Sequence, residues 1–166
     1  MSASYTNIKV GSRIIECGKV YTVYKIEERL VGDKTQRIIF YKPHFVNSNY
    51  GTVICSMPED NLTEANVRQP ISTAELKEII GKLSAKPQEL VLDAIDAKLT
   101  LNGNDIYKSV EILKVYWKEK NENKDAFSKS KKDILELAFE KVIEEVAVVK
   151  GVTLDAARLT LTSALG

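Results

Sequence analysis

Histidine, cysteine and long apolar runs are all scarce in this chain of 166 residues. Its one histidine, His44, cannot build a multi-histidine metal site. Its two cysteines, Cys17 and Cys55, are too few for a disulfide framework and lack CxxC spacing, so we expect reduced thiols. The sequence also lacks the Walker, GxSxG, HExxH and GxGxxG motifs. These absences predict a binding protein that is not an enzyme and uses no cofactor, metal or small-molecule substrate.

Membrane and export signals are missing as well. No apolar run approaches the roughly 20 residues needed to cross a bilayer. Residues 1–7 are polar, without the basic-then-apolar order of a signal peptide. We therefore expect a cytoplasmic protein with no membrane partner.

A dominant charge is also absent, because the chain has 24 basic and 23 acidic residues. Any attraction for nucleic acid must come from a local patch.

The first seventy residues show the alternation of β-strands. β-branched and aromatic residues alternate over residues 20–26, and Gly32-Asp33 can form the following turn. The other predicted strands are residues 13–16, 37–41 and 52–55, with a loop over 43–51. These segments predict about four or five antiparallel strands in a small twisted sheet or open barrel. Tyr41, Phe45 and Tyr50 form either an exposed aromatic patch for a protein partner or part of the sheet interior.

After Pro70 the apolar spacing becomes helical. Ser72 and Glu75 form a capping box that opens the first helix. The second is predicted to start at Pro87 and stop at Asn102-Gly103, and the third to start at a cap on Asn104 or Asp105. A polar connection over residues 118–132 precedes a long fourth helix ending at Gly151, and Thr153 caps a fifth. Each helix carries one apolar stripe: Leu76, Ile79, Ile80 and Leu83; Leu90, Val91, Ala94, Ile95 and Leu99; Ile106, Val110, Leu113 and Trp117; Ile134, Leu135, Ala138, Val142 and Val146; Leu154, Ala157, Leu161 and Leu165.

The change of period predicts an α+β protein made of two domains. Residues 1–70 form a small antiparallel β module, and residues 71–166 form a five-helix, all-α domain. Five helices with one apolar stripe each should pack as a compact bundle, because none can bury its stripe alone.

Lysines cluster between residues 114 and 132, where seven lysines face three acidic residues for a net charge of +4. One interpretation is a solvated helix end and loop. The other is a phosphate-contact patch for DNA. Its predicted DNA-binding residues are Lys114, Lys118, Lys129, Lys131 and Lys132.

Several short motifs follow one another along most of the chain, from about Ile8 to Leu165. They are Ile8-Lys9-Val10-Gly11, the segment from Tyr24 to Arg29 before Gly32, Met57-Pro58, Asn66-Val67-Arg68, Pro70 with the helix behind it, Lys98-Leu99, residues 102–105, and Val110, Leu113 and Trp117. Their order resembles the CarD/CdnL family of bacterial transcription regulators. The N-terminal module of that family is shared with transcription-repair coupling factor.

The resemblance implies a Tudor-like β module that binds the RNA polymerase β subunit and a helical domain that contacts promoter DNA. The predicted polymerase-binding residues are Arg29, Ser56 and Arg37. Arg29 matches a basic residue of the family on its polymerase-facing edge, whereas Ser56 stands where the family has a second basic residue. Gln88 stands at the family's aromatic DNA wedge, so we expect weak DNA contact or none.

The sequence therefore predicts a CarD/CdnL-like transcription regulator. An alternative of a different class is a protein-interaction scaffold that never meets DNA, which the near-neutral charge favours. A third is an enzyme with a carboxylate site, such as Asp93 with Asp96 or Glu140 with Glu144 and Glu145.

Overall fold

A computed structural model of the protein describes residues 7–46, 53–86 and 92–166. The chain divides into two compact units, residues 1–70 and residues 71–166. We call them the β unit and the helical unit. A four-stranded antiparallel sheet precedes five helices, which confirms the predicted α+β class. Within the described ranges, no helix is long and apolar enough to cross a membrane.

The sheet of the β unit follows the chain order without a crossover. Its strands are β1 (Arg13–Glu16), β2 (Lys19–Val31), β3 (Lys34–Pro43) and β4 (Cys55–Pro58), paired antiparallel in the order β1-β2-β3-β4. The register shifts between Val23 and Lys25 on β2. Tyr24 is the extra residue of this β-bulge, which bends and twists a strand locally.

Two tight turns connect the first three strands. Cys17 and Gly18 join β1 to β2 with positive φ at both positions, +49° and +77°. That backbone suits a type I′ turn, whose twist matches antiparallel strands. Gly32, with φ +63°, lies in the turn between β2 and β3 where the sequence predicted one.

One face of the sheet packs on the core of the β unit. The chain after β4 forms a 3-10 turn, Glu59–Asn61, and returns to β1, where Ile15 and Arg68 exchange two backbone hydrogen bonds of 2.7 and 3.0 Å. This return covers the apolar face, because two of its residues belong to the core. The buried core residues are Ile8, Ile14, Val23, Ile39, Tyr41, Leu62 and Val67.

The last predicted strand was misplaced. Val53 and Ile54 lie outside any strand and are exposed, whereas β4 runs from Cys55 to Pro58. Residues 47–52, including Tyr50 and Thr52, lie outside the described residues. β-branched residues predict a strand only weakly, because cross-strand packing decides which residues pair. Pro58 is tolerated because β4 pairs with β3 alone, and an edge strand can do without one N–H donor.

The helical unit contains five helices in the described residues. They are α1 (Thr73–Ser84), α2 (Ala94–Leu101), α3 (Ile106–Glu122), α4 (Lys129–Lys150) and α5 (Leu154–Leu165). Four predicted end signals are present. Ser72 forms the capping box with Glu75, Asp105 caps α3, and Thr153 caps α5. Gly151 ends α4 with a φ of +66°, a left-handed conformation that glycine adopts without strain.

Helix α2 differs from its prediction. It begins after Asp93, whose carboxylate accepts hydrogen bonds from the backbone N–H groups of Ile95 and Asp96. The predicted start at Pro87, with Leu90 and Val91, lies outside the described residues. The predicted inward face was wrong, because Ile95 and Leu99 are 71% and 66% exposed. The buried residues of α2 are Ala97 and Leu101.

The polar connection before α4 is shorter than predicted. Helix α3 continues through Trp117 to Glu122, and only residues 123–128 separate it from α4. Phe127 within this connection is buried. The α4 stripe of Ile134, Leu135, Ala138, Val142 and Val146 is fully buried, as predicted. Five other stripe residues are only half-buried: Ile80, Ala94, Trp117, Leu154 and Leu165.

The capping box of α1 offers a test of the helical unit. The Ser72 hydroxyl accepts a 3.2 Å hydrogen bond from the Glu75 backbone N–H, and Glu75 accepts a 2.7 Å bond from the Ser72 N–H. We expect Ser72→Ala to lower the free energy of unfolding by about 1 kcal/mol, because an N-terminal N–H loses its acceptor. Urea unfolding followed by circular dichroism measures it. Thr73→Ala, one residue into the exposed first turn, is the control; an equal loss in both variants would contradict the capping role.

Candidate functional site

The sheet face opposite the core carries Arg29 and Ser56, two of the three residues that the family resemblance singled out. Ile39 and Tyr41 of β3 face the core, so Phe40 between them faces away from it. Lys25 on β2 and Ser56 on β4 lie directly opposite Phe40 in the strand register. Side chains from three strands therefore meet on this outer face.

Two half-buried aromatic rings on the outer face are surrounded by cations. The rings of Tyr24 and Phe40 lie 6.4 Å apart, inclined at 61°. Lys25 Nζ lies 5.2 Å from the centre of the Phe40 ring, and the guanidinium carbon of Arg29 lies 5.7 Å from it. Lys42 Nζ lies 5.6 Å from the centre of the Tyr24 ring. All three distances fall within the roughly 6 Å range of cation–π attraction.

One carboxylate joins two of these cations. Glu27 Oε2 accepts hydrogen bonds from Arg29 Nε at 3.1 Å and from Arg29 Nη2 at 2.8 Å. Glu27 Oε1 forms an ion pair with Lys25 Nζ. Hydrogen bonds from Lys25 and then from Arg29 lower the pKa of Glu27 below its ordinary value. Glu27 therefore stays ionised, and both cations are held beside the Phe40 ring.

We call this group the aromatic–cation patch. Its members are Tyr24, Lys25, Glu27, Arg29, Phe40 and Lys42. Three cations and one carboxylate give the patch a net charge of +2, so it complements an acidic surface. Arginine and aromatic side chains are enriched among the residues that anchor protein interfaces, so the patch has a composition suited to binding another protein.

Ser56 borders the patch. It is exposed on β4, directly opposite Phe40. Its hydroxyl can donate one hydrogen bond, but it cannot supply the charge that the resembled family has at this position. The structure thus brings Arg29 and Ser56 to the same face, where Arg29, Lys25 and Lys42 provide positive charge.

Arg37 lies on the opposite side of the sheet. Its Nη1 donates to both carboxylate oxygens of Glu59 at 3.0 and 2.9 Å, and its Nη2 donates to the Ile8 carbonyl at 2.8 Å. The guanidinium therefore ties the N-terminal segment and the 3-10 turn to β3. The structure does not bring Arg37 together with Arg29 and Ser56.

Three of the five predicted DNA-binding lysines contact other groups of the helical unit. Lys114 Nζ donates to the Lys82 carbonyl at the end of α1, and burial lowers the pKa of Lys114. Lys118 lies 3.7 Å from a carboxylate oxygen of Glu122. Lys131 forms an ion pair with Glu119, which links α4 to α3. These contacts reduce the positive field that the sequence cluster suggested.

The other two lysines, Lys129 and Lys132, are exposed in the first turn of α4. That turn contains no acidic residue, and in the described part of the chain neither lysine has an ion-pair partner. Cations at a helix N-terminus oppose the positive end of the helix dipole. An anion near Lys129 and Lys132 would relieve this unfavourable arrangement.

The other polar residues considered as catalytic or metal-binding candidates make contacts within the fold. His44 Nδ1 lies 3.0 Å from the Thr22 hydroxyl, and burial lowers the pKa of His44. Glu145 is fully buried and accepts a 2.8 Å hydrogen bond from the Ile71 backbone N–H. Asp93 is the cap of α2. Among residues 7–46, 53–86 and 92–166, no group of three or more His, Cys, Asp or Glu side chains could hold a metal ion.

A small cavity of about 210 Å³ lies in the helical unit between α1, α3 and the end of α5. Trp117 and the neighbouring lysines Lys114 and Lys118 line it. The indole N–H of Trp117 donates to the Gly166 carbonyl at 3.2 Å, and its ring meets Phe139 edge-on with the centres 5.9 Å apart. These contacts give Trp117 a packing role.

Sequence reasoning found Arg29 but missed its surroundings. The predicted aromatic candidates were others: Tyr41 is buried in the core, Phe45 packs edge-on against His44 at 4.8 Å, and Tyr50 lies outside the described residues. Lys25, Glu27 and Arg29 alternate along β2, which was the available signal for one shared face. The position of Phe40 depends on strand pairing, which no local pattern reveals.

Comparison with known proteins adds no family to these observations. The chain matches no protein-family model and no curated protein sequence. The features of the chain that bear on its function are therefore the aromatic–cation patch and the exposed lysines of α4.

The two arginines on paired strands should differ in their effect on stability. We expect Arg37→Ala to lower the free energy of unfolding by about 1–2 kcal/mol, because it removes charge-assisted hydrogen bonds to Glu59 and to the Ile8 carbonyl. Arg29→Ala removes a solvent-screened ion pair with Glu27 and should leave the free energy of unfolding nearly unchanged. Urea unfolding of both variants provides the comparison; equal losses would contradict these separate roles.

Proposed function

We propose that this protein is a transcription regulator of the CarD/CdnL type that binds the RNA polymerase β subunit through its β unit. The observation that carries the proposal is that Arg29 lies exposed beside Phe40 on the outer face, where Ser56 lies opposite Phe40 on the neighbouring strand. The family resemblance predicted Arg29, Ser56 and Arg37 as residues of one binding surface. The location of Arg29 and Ser56 on one face supports their part of that prediction, whereas Arg37 lies on the other side of the sheet.

The chemistry of the patch favours an acidic protein surface as its partner. A guanidinium is planar and can bind a carboxylate through two parallel hydrogen bonds, which a lysine ammonium cannot do. Phe40 beside Arg29 adds apolar area that a partner can cover. A charged anchor with an adjacent aromatic ring is typical of the few residues that dominate interface energetics.

A protein partner fits the chain better than nucleic acid does. The net charge is only +1, and three of the five candidate DNA lysines already contact groups of the helical unit. The proposed DNA contact is therefore limited to Lys129 and Lys132. It would steady a complex that the β unit forms with polymerase, since two phosphate contacts alone bind weakly at physiological salt.

The first test measures binding of the full chain to a fragment of the polymerase β subunit by calorimetry. Arg29→Ala should weaken binding at least about fivefold, since truncating an interface arginine costs more than about 1 kcal/mol. Arg29→Glu should weaken it further, because like charges then meet. Lys9→Glu makes the same charge reversal at an exposed lysine of the β unit outside the patch, and it should leave the affinity nearly unchanged. Unchanged affinity in both Arg29 variants would remove Arg29 from the interface.

A scaffold that never meets polymerase or DNA is the second candidate function. The near-neutral charge and the internal partners of Lys118 and Lys131 favour it. A pull-down from a bacterial lysate, scored for polymerase subunits, separates the two candidates. Polymerase retained by the wild-type chain and lost with Arg29→Glu supports the regulator. Other proteins retained through Arg29, without polymerase, support the scaffold.

The DNA contact is tested separately by its salt dependence. The double variant Lys129→Ala/Lys132→Ala should reduce the slope of log affinity against log salt by about two, because each phosphate-contacting lysine contributes about one. Lys118→Ala is the matched control, since Lys118 already faces Glu122. The measurement is retention of duplex DNA at several salt concentrations. A wild-type protein without salt-dependent retention would end the DNA proposal.

A further inference from the structure

The guanidinium of Arg29 has two edges that can each bind a carboxylate. One edge carries Nε and Nη2, and the other carries Nη1 and Nη2. Glu27 occupies the first edge, because its Oε2 accepts from Nε at 3.1 Å and from Nη2 at 2.8 Å. Among the residues that the structure describes, none accepts a hydrogen bond from Nη1. The second edge is thus open to a partner.

The orientation of this open edge is fixed from two sides. Glu27 holds the guanidinium along its first edge, and the Phe40 ring lies beside it with 5.7 Å between the ring centre and the guanidinium carbon. The same carboxylate holds Lys25 through its other oxygen. An arginine side chain on an exposed strand would otherwise lose considerable rotamer freedom on binding.

We infer that Glu27 is a positioning residue that presents the Nη1/Nη2 edge of Arg29 to a carboxylate of the partner. The inference rests on the proposed function, because it assigns the same outer face and the same kind of acidic partner. Its physical basis is pre-organisation: a group already held in its bound geometry loses less freedom on association.

A purely electrostatic role and a positioning role for Glu27 predict opposite changes in affinity when its charge is removed. Glu27 carries a negative charge close to where the partner carboxylate would lie, so its charge alone opposes binding. Neutralising Glu27 would then strengthen the interaction. If positioning of Arg29 dominates, neutralisation weakens it, and the sign of the change distinguishes the two roles.

The binding experiment uses Glu27→Gln in the full chain with the polymerase β fragment. We expect roughly two- to fivefold weaker binding, the range that one exposed ion pair supports. Glu28→Gln is the matched control, because Glu28 is the next residue of β2, is exposed, and lies opposite Arg37 rather than in the patch. It makes the same charge change and should leave affinity unchanged or slightly raised.

A double-variant comparison tests whether Glu27 acts through Arg29. In an Arg29→Ala background, Glu27→Gln should have no further weakening effect, because no guanidinium remains to be oriented. Glu27→Gln that tightens binding as Glu28→Gln does would overturn the inference. An undiminished loss in the Arg29→Ala background would overturn it as well.

A second measurement needs no partner. The Nε–H group of Arg29, observed by ¹⁵N relaxation, should be more ordered in the wild type than in Glu27→Gln, while Glu28→Gln should match the wild type. A mobile Nε–H in the wild type, or equal order in Glu27→Gln, would overturn the inference even if polymerase binds. Failure of the wild type to bind the β fragment, with an ordered Nε–H lost in Glu27→Gln, would reject the proposed partner and support the positioning role.

Discussion

The register between β2 and β3 is the constraint on which the functional surface depends. It places Phe40 opposite Lys25, and the bulge at Tyr24 shifts the pairing just before that point. Side chains alternate between the faces of a sheet, so a slip of one residue would exchange the core and the outer face. The buried core residues Val23 and Ile39 lie on the two paired strands and oppose such a slip, because exposing them would cost hydrophobic stabilisation. The geometry of the patch is therefore maintained by the apolar core on the other side of the sheet.

This alternation also explains why two arginines on neighbouring strands have different roles. Arg37 faces the core side and is held by Glu59 and the Ile8 carbonyl, so its hydrogen bonds maintain the β unit. Arg29 faces outward and shares the half-buried Glu27 carboxylate with Lys25, so its guanidinium remains available for the proposed contact with a partner. As arginines, both side chains have the same capacity to bind a carboxylate. The face on which each side chain lies decides which carboxylate it meets.

Local signals made the fold class and most helix ends predictable. A cap needs only a few consecutive residues, which is why Ser72, Asp105 and Gly151 were identified correctly. Features that depend on distant residues were missed. Ile95 and Leu99 have the spacing of an inward stripe but are exposed, because packing in the helical unit buries the other side of α2. The candidate site was predicted only in part. The family resemblance identified Arg29, but Phe40 lies on another strand, and its position beside Arg29 could be known only once the pairing of β2 with β3 was known.

The lysine cluster shows why a charge count along the chain is a poor guide to binding. Lys131 meets Glu119 across two helices, and Lys118 meets Glu122 one turn away, so acidic residues within the same segment offset much of its positive charge. The two lysines left at the start of α4 can release only a few counterions from DNA, and counterion release supplies most of the nonspecific affinity for a duplex. Binding through the aromatic–cation patch does not depend on a high net charge of the whole protein. A fixed guanidinium beside an aromatic ring acts at contact distance and against a defined carboxylate. The proposed recognition of another protein through such a contact is compatible with a chain whose opposite charges nearly cancel, because it does not require a strong overall field.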